Sequence, residues 1–220
     1  MELFIIPVAH VSRESVKRVR EAIKKEKPDV VAVELDVERF QAMAENRKPG
    51  IRELLARPFA AVFYLIQQAF GKIFNVVPGS EMLEAVYAAQ DLKIPVAFVD
   101  RPVGLTIQRL SAIPFSEKLF IATQALIAPL AFMPNPFSHA PRLTPEMLAQ
   151  ELPEEFMEEF RRKLPNAYRV LIDERDHYMF RQVERLGAER VLLVVGAGHM
   201  RGIRRLVETN IRAPPAGFAS

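Results

Sequence analysis

The chain has no cysteine, no tryptophan and only four histidines among 220 residues. The absence of cysteine excludes disulfides, thiolate zinc sites and a cysteine nucleophile. Any bound metal must therefore be held by histidine and carboxylate, a donor set that suits zinc, manganese, iron or cobalt. Neither sign of charge dominates: 30 basic residues face 27 acidic ones, a net charge of +3. Lys24-Lys25, Arg161-Arg162-Lys163 and Arg204-Arg205 are short basic clusters on expected helix surfaces. No basic stripe with interleaved aromatics occurs, so no nucleic-acid partner is expected. Met1-Glu2 opens acidic, and no signal peptide is expected. No apolar run reaches the ~20 residues of a spanning helix. The nearest stretches, residues 59–66 and 119–133, are bounded or broken by Gln67, Gln68, Thr123, Gln124 and Pro129. They are expected to be buried or half-buried helices, or an interface for a homo-oligomer or a membrane surface. Half of the residues are hydrophobic, enough for one substantial core.

What is present begins with Val191-Leu192-Leu193-Val194-Val195, an unbroken apolar run that ends in Gly196-Ala197-Gly198-His199. Such runs are typical of parallel strands buried on both faces. The two glycines are expected to let the backbone turn sharply at the strand's carboxyl end. Residues 3–9, 30–33 and 96–99 repeat the pattern and end at His10, at Glu34-Leu35-Asp36 and at Asp100-Arg101. Ser12 suits a helix start, and residues 15–25 show helical periodicity. The unit from residue 3 to residue 33 therefore reads as a strand, a helix and a parallel strand. Helices are expected at 37–45, 51–77, 80–92, 103–134 (with breaks at Pro114 and Pro129), 146–163, 167–186 and after His199. The whole predicts an α/β fold with a mainly parallel central sheet and flanking helices. It forms one domain over 1–212, with helical insertions at about 51–77 and 103–165 and a linker-like tail at 213–220.

The carboxyl ends of parallel strands share one edge, where open α/β sheets bind their ligands. One polar residue after a strand is commonly a helix cap. Four such ends, two histidine and two carboxylate, point to a shared site. Two chemistries fit: a divalent metal held by histidine and carboxylate, or a histidine oriented by Glu34 acting alone as general base. His10 precedes a helix N-terminus, which favours its neutral form. On the helix 167–186, Asp173, Glu174, Arg175, Asp176 and His177 form a dense polar cluster. It reads either as a solvated face with local ion pairs or as a site in which Arg175 clamps an anion. Glu81 follows Pro78-Gly79-Ser80 and suits a first helical turn. His139 reads as a surface loop residue. A dinucleotide fingerprint, a phosphate-binding loop, a His-Glu-x-x-His pair and a Gly-x-Ser-x-Gly elbow are all missing.

Taken in order, Ala9-His10-Val11-Ser12, Val31 to Asp36 with Arg39, Pro78-Gly79-Ser80-Glu81-Met82, Val99-Asp100-Arg101, Ile172 to Asp176 and Val195 to His199 resemble the successive motifs of the TraB, or pheromone-shutdown, family. That family is related to Tiki-type metalloproteases, erythromycin-esterase-like hydrolases and ChaN-like haem-binding proteins. The resemblance implies a catalytic set of His10, Glu34, Arg175 and His199. It implies substrate contacts at Asp100, Arg101 and Asp176, and a divalent metal (Mn, Co or Zn) on His10, Glu34, Glu81 and His199. The first histidine motif reads Pro7-Val8-Ala9-His10, with proline where the family has glycine. The expected activity is a metal-dependent, peptidase-like hydrolysis of a peptide or small molecule. The alternatives are a non-catalytic protein that sequesters a peptide or a cofactor such as haem, and a metal-independent esterase-like hydrolase with His10 as base. Family members are often longer, with hydrophobic segments after the soluble domain. A soluble domain, cytoplasmic or anchored to a membrane through a region outside this chain, is therefore expected.

Overall fold

Four short apolar segments find one another and leave their polar ends on a common edge. The computed structural model describes residues 1–8, 13–45, 80–131 and 154–212. The strands are β1 (Glu2–Val8), β2 (Val30–Val33), β3 (Val96–Phe98) and β4 (Arg190–Gly196). They form one all-parallel sheet in the order β1-β4-β2-β3. The last strand in sequence thus lies inside the sheet, between the first two. Val8 is level with Gly196, and Val33 with Val194. This register brings three strand ends together: Glu34, Asp100 and Gly196.

The central position of β4 explains its composition. Val191 to Val195 are fully buried, because neighbours close both edges and helices cover both faces. Alternate residues serve different cores. Leu192 and Val194 pack with Val31 and Val33 beneath α1 (Arg13–Glu26) and α3 (Ser80–Asp91), where Val19, Ile23, Ala85, Val86 and Ala89 meet them. Val191, Leu193 and Val195 pack with Ala32 on the other face, against Met179, Val183 and Ile203. The helices there are α8 (Glu174–Arg185) and α9 (Met200–Arg212). The architecture is a three-layer α/β/α arrangement, as the apolar runs predict.

The remaining described elements are α2 (Val37–Ala44), α4 (Val103–Ser111), α5 (Phe115–Ala131), α6 (Glu154–Lys163) and the short α7 (Pro165–Tyr168). Two expectations change. The break at Pro114 is present, but α5 is continuous through Pro129 to Ala131. A proline removes one helical donor and kinks the chain; the flanking alanines and leucines are strong helix formers and carry the helix across it. The helix expected over 167–186 is not uniform. It passes through a π-helical turn, Arg169–Asp173, between α7 and α8. Among the described residues, no helix is long and apolar enough to cross a membrane. The insertion expected at 51–77 lies outside the described residues, as does the tail at 213–220.

Candidate functional site

Glu34 is the first residue beyond β2, and its backbone N–H still donates to Val194 O at 3.0 Å. The sheet's ladder therefore fixes where its side chain begins. The carboxylate turns toward β4. Oε2 accepts from Gly196 N at 2.6 Å. A Cβ on residue 196 would stand 3.2 Å from that oxygen. Gly196 has φ −61° and ψ 147°, ordinary extended backbone. The sequence reading assigned this glycine to a sharp turn; its role is close approach to a carboxylate.

Glu34 Oε1 accepts from Arg175 Nη2 and faces His199 Nε2 at 3.2 Å. The other imidazole nitrogen, Nδ1, lies 2.5 Å from Asp176 Oδ1. His199 is therefore clamped between two carboxylates, with only 5% of its surface exposed. Arg175 also grips Asp100 with two donors, Nε to Oδ1 at 3.0 Å and Nη2 to Oδ2 at 2.8 Å. Its Nη1 donates to Leu171 O at 3.2 Å. Arg39 adds a second cation on Asp100 Oδ2, at 3.2 Å. Asp36 caps α2 by accepting from Arg39 N at 2.9 Å. Three carboxylates (Glu34, Asp100, Asp176) thus face two guanidiniums and one imidazole.

The protonation states follow from this geometry. Burial alone would push the Glu34 carboxyl up. The charges of His199 and Arg175 and the Gly196 donor outweigh it and hold Glu34 well below the usual carboxylate range. Burial alone would likewise push His199 down. The Glu34 charge outweighs this, with help from the Asp176 hydrogen bond, and raises His199 to about 9. Burial pushes Asp176 up, and its hydrogen bond with His199 offsets part of that. The shared proton belongs on the imidazole. His199 faces two carboxylates, whereas Asp176 has one histidine.

Arg101, the residue after Asp100, is also buried and fully engaged. Its Nη1 donates to Glu174 Oε2 at 2.7 Å, its Nη2 to Val170 O at 2.9 Å and its Nε to Thr106 Oγ1 at 3.1 Å. Two ion pairs therefore run side by side in opposite sense, Asp100 with Arg175 and Arg101 with Glu174. The π-turn makes this alignment. Glu174 N reaches back five residues to Arg169 O. One residue beyond ordinary helical spacing rotates everything after it by about 100°. With that rotation Arg175 and Asp176 both reach the sheet edge.

Six of the expected site residues meet here: Glu34, Asp100, Arg101, Arg175, Asp176 and His199. Asp100 and Arg101 engage protein partners through every polar side-chain atom, and Asp176 Oδ1 is taken by His199. His10 lies outside the described residues, as does the side chain of Glu81. His139 also lies outside them. His177 bonds its own helix at Asp173 O, 2.8 Å away.

Gly202 is a site residue that the sequence reading missed. A Cβ there would fall 1.7 Å from Asp176 Oδ2. The available signal was a glycine inside a helix, three residues after His199 and so on its face. Gly202→Ala is expected to push Asp176 off His199 and to destabilise the protein by about 1–3 kcal/mol. Urea midpoints measure this; an unchanged midpoint would mean that the carboxylate moves aside freely.

The model of the TraB/PrgY/gumN family matches residues 140–212, which include Arg175, Asp176 and His199. An uncharacterized protein of Methanocaldococcus jannaschii is 32% identical over 94% of this chain, and the match covers 53% of that protein. TraB domain-containing proteins of Mus musculus and Homo sapiens are each 27% identical over 95% of the chain and 63% of their own length. The chain thus spans between half and two thirds of these relatives. The family model and the relatives that bear its name both assign this chain's similarity to the TraB family.

Proposed function

We propose that the edge around Glu34 and His199 is the centre of a metal-dependent hydrolase acting on a peptide or small molecule. The observation that carries this reading is the double clamp on His199. Metal-binding histidines hand their second nitrogen to a carboxylate, which fixes the ring and strengthens the other nitrogen as a donor. Here Asp176 takes Nδ1, and Nε2 faces Glu34 Oε1 at 3.2 Å. Ligand atoms on a tetrahedral zinc stand about 3.3 Å apart, given bonds of about 2.0–2.1 Å. His199 and Glu34 therefore fit a divalent ion (Mn, Co or Zn). Among the described residues no third histidine or carboxylate completes the set. His10 and Glu81 are the proposed remaining ligands. The chemistry such an ion supplies is acidification of water and polarisation of a scissile carbonyl. Arg175 and Gly196 N hold Glu34 in place, and the water-poor walls strengthen each interaction.

A second reading rests on a separate observation. Arg175 already balances the Glu34 charge at the same oxygen, Oε1. The cluster is then complete without a metal. In this reading His10 acts as base and His199, protonated at neutral pH, as acid.

The two readings part in one experiment. Protein purified without chelator is assayed for bound metal and for cleavage of peptide and ester panels, before and after EDTA. The metal reading expects stoichiometric divalent metal, loss of activity in EDTA and its return with Mn, Co or Zn. Asp176→Asn should weaken metal affinity about 10–100-fold while leaving the ligand atoms in place. Metal-free protein with full activity sinks the metal reading. Full activity in both His10→Ala and His199→Ala sinks both readings.

A further inference from the structure

The one anion clamp expected from the sequence, Arg175, is fully used inside the protein. A second group of arginines is not. Glu174 is met by three of them: Arg101 at 2.7 Å, Arg109 at 3.7 Å and Arg169 at 3.8 Å. Arg101 is buried, and all its nitrogens donate to protein acceptors. Arg109 and Arg169 differ. Both are more than half exposed, and both stand beyond hydrogen-bond distance of the carboxylate. Arg169 also acts on the buried carboxylate of Glu117, so three guanidiniums meet two carboxylates and one positive charge is in excess. Among the described residues, the donors of Arg109 and Arg169 meet no acceptor at hydrogen-bond range.

The place of this cluster matters as much as its charge. Arg101 follows Asp100, and Glu174 precedes Arg175. Each step is about 3.8 Å of backbone. The cluster is therefore linked to the Glu34–His199 centre through the paired ion pairs. Arg109 comes from α4 and Arg169 from the π-turn, so two separate elements converge. Leu105 lies one helical turn before Arg109, on the same face of α4, and is exposed. An apolar ledge thus borders the cations.

We propose that Arg109 and Arg169 form an oxyanion subsite for the free terminal carboxylate of a peptide, with Leu105 receiving the apolar side chain next to it. The subsite rests on the hydrolase reading and names its substrate class. Arginine suits it, because a planar guanidinium can present two donors to a carboxylate. Glu174 holds the two cations in place without satisfying them.

Binding tests the subsite apart from turnover. A fluorescein-labelled short apolar peptide ending in leucine is titrated by anisotropy, once as the free acid and once as the carboxamide. The chain used is the whole protein, in wild-type, Arg109→Ala, Arg169→Ala and doubly substituted forms. The free acid should bind the wild type about tenfold more tightly than the amide, because two exposed cations each contribute modestly. Each single variant should lose part of that preference, and the double variant all of it. The double variant should bind the amide as the wild type does. Inorganic phosphate should displace the free acid and leave amide binding unchanged. Equal binding of acid and amide, no binding of either, or a preference that survives in the double variant would overturn the proposal. So would phosphate binding in the absence of any acid preference, which would mean a small-anion site only. Cleavage is scored separately. An intact acid preference without cleavage of any peptide or ester would sink the hydrolase reading and leave the subsite standing as a binding site.

Discussion

Arg175→Met is expected to cost about 3–5 kcal/mol of stability, the largest loss of any single substitution at the site. The reason lies in what remains. Arg175 donates to Glu34 and twice to Asp100, and both carboxylates are buried. Methionine fills similar volume without charge, so packing is largely kept. Glu34 would retain only His199 and the Gly196 N–H, and Asp100 only Arg39 and the Arg101 N–H. Two buried anions would then lack their shared cation. Arg175→Lys keeps the charge but not the fork that serves both acids, so its loss should be intermediate. Arg101→Met is the informative comparison. Its partner Glu174 is partly exposed and has Arg109 and Arg169 nearby, so the cost should be clearly smaller. Urea titration of the three variants measures this order. Equal losses for Arg101→Met and Arg175→Met would show that stability follows buried volume rather than charge pairing.

The strands were legible because each one shows in local composition. Residues 30–33 and 191–195 are unbroken apolar runs, and only a strand covered on both faces needs that. Their order was not legible. A run that sits at the centre reads like one that sits near an edge, and pairing between distant segments leaves no local mark. The site was readable as far as it lies on strand ends, where Glu34, Asp100 and His199 announce themselves. The π-turn was hidden, because moving one hydrogen bond from Arg169 O to a donor five residues on changes no apolar spacing that the sequence displays. The Asp100-Arg101 and Glu174-Arg175 dipeptides carry a mark in retrospect. Their charges are in order to pair crosswise, but only the fold says that β3 and α8 meet. Gly196 shows a different limit. A glycine needed for close approach and one needed for a turn look identical in sequence.

In metal-free protein the stability held by His199 should disappear as the pH rises through about 9. The folded state keeps the imidazole protonated to about 9, against an ordinary value of 6.5, because Glu34 and Asp176 both contact it. Between those values the folded protein binds a proton that the unfolded chain has released. Stability must therefore fall with pH across that window. The contribution is complete below 6.5 and absent above about 9. A displacement of that size corresponds to something on the order of 3 kcal/mol. Glu34 works on the other side. Its carboxyl is held low, so its contribution is present at neutral pH and is lost only in acid. Arg175 stays charged throughout. Urea midpoints of wild type and His199→Gln, taken in EDTA from about pH 6 to about pH 10, isolate the cluster's effect, because the titrations away from Glu34, Asp176 and His199 are common to both. The wild-type advantage should be largest at the acid end and shrink to nothing at the alkaline end. An advantage that stays constant across the range would mean that His199 is neutral in the folded protein, and that the shared proton rests on Asp176 instead.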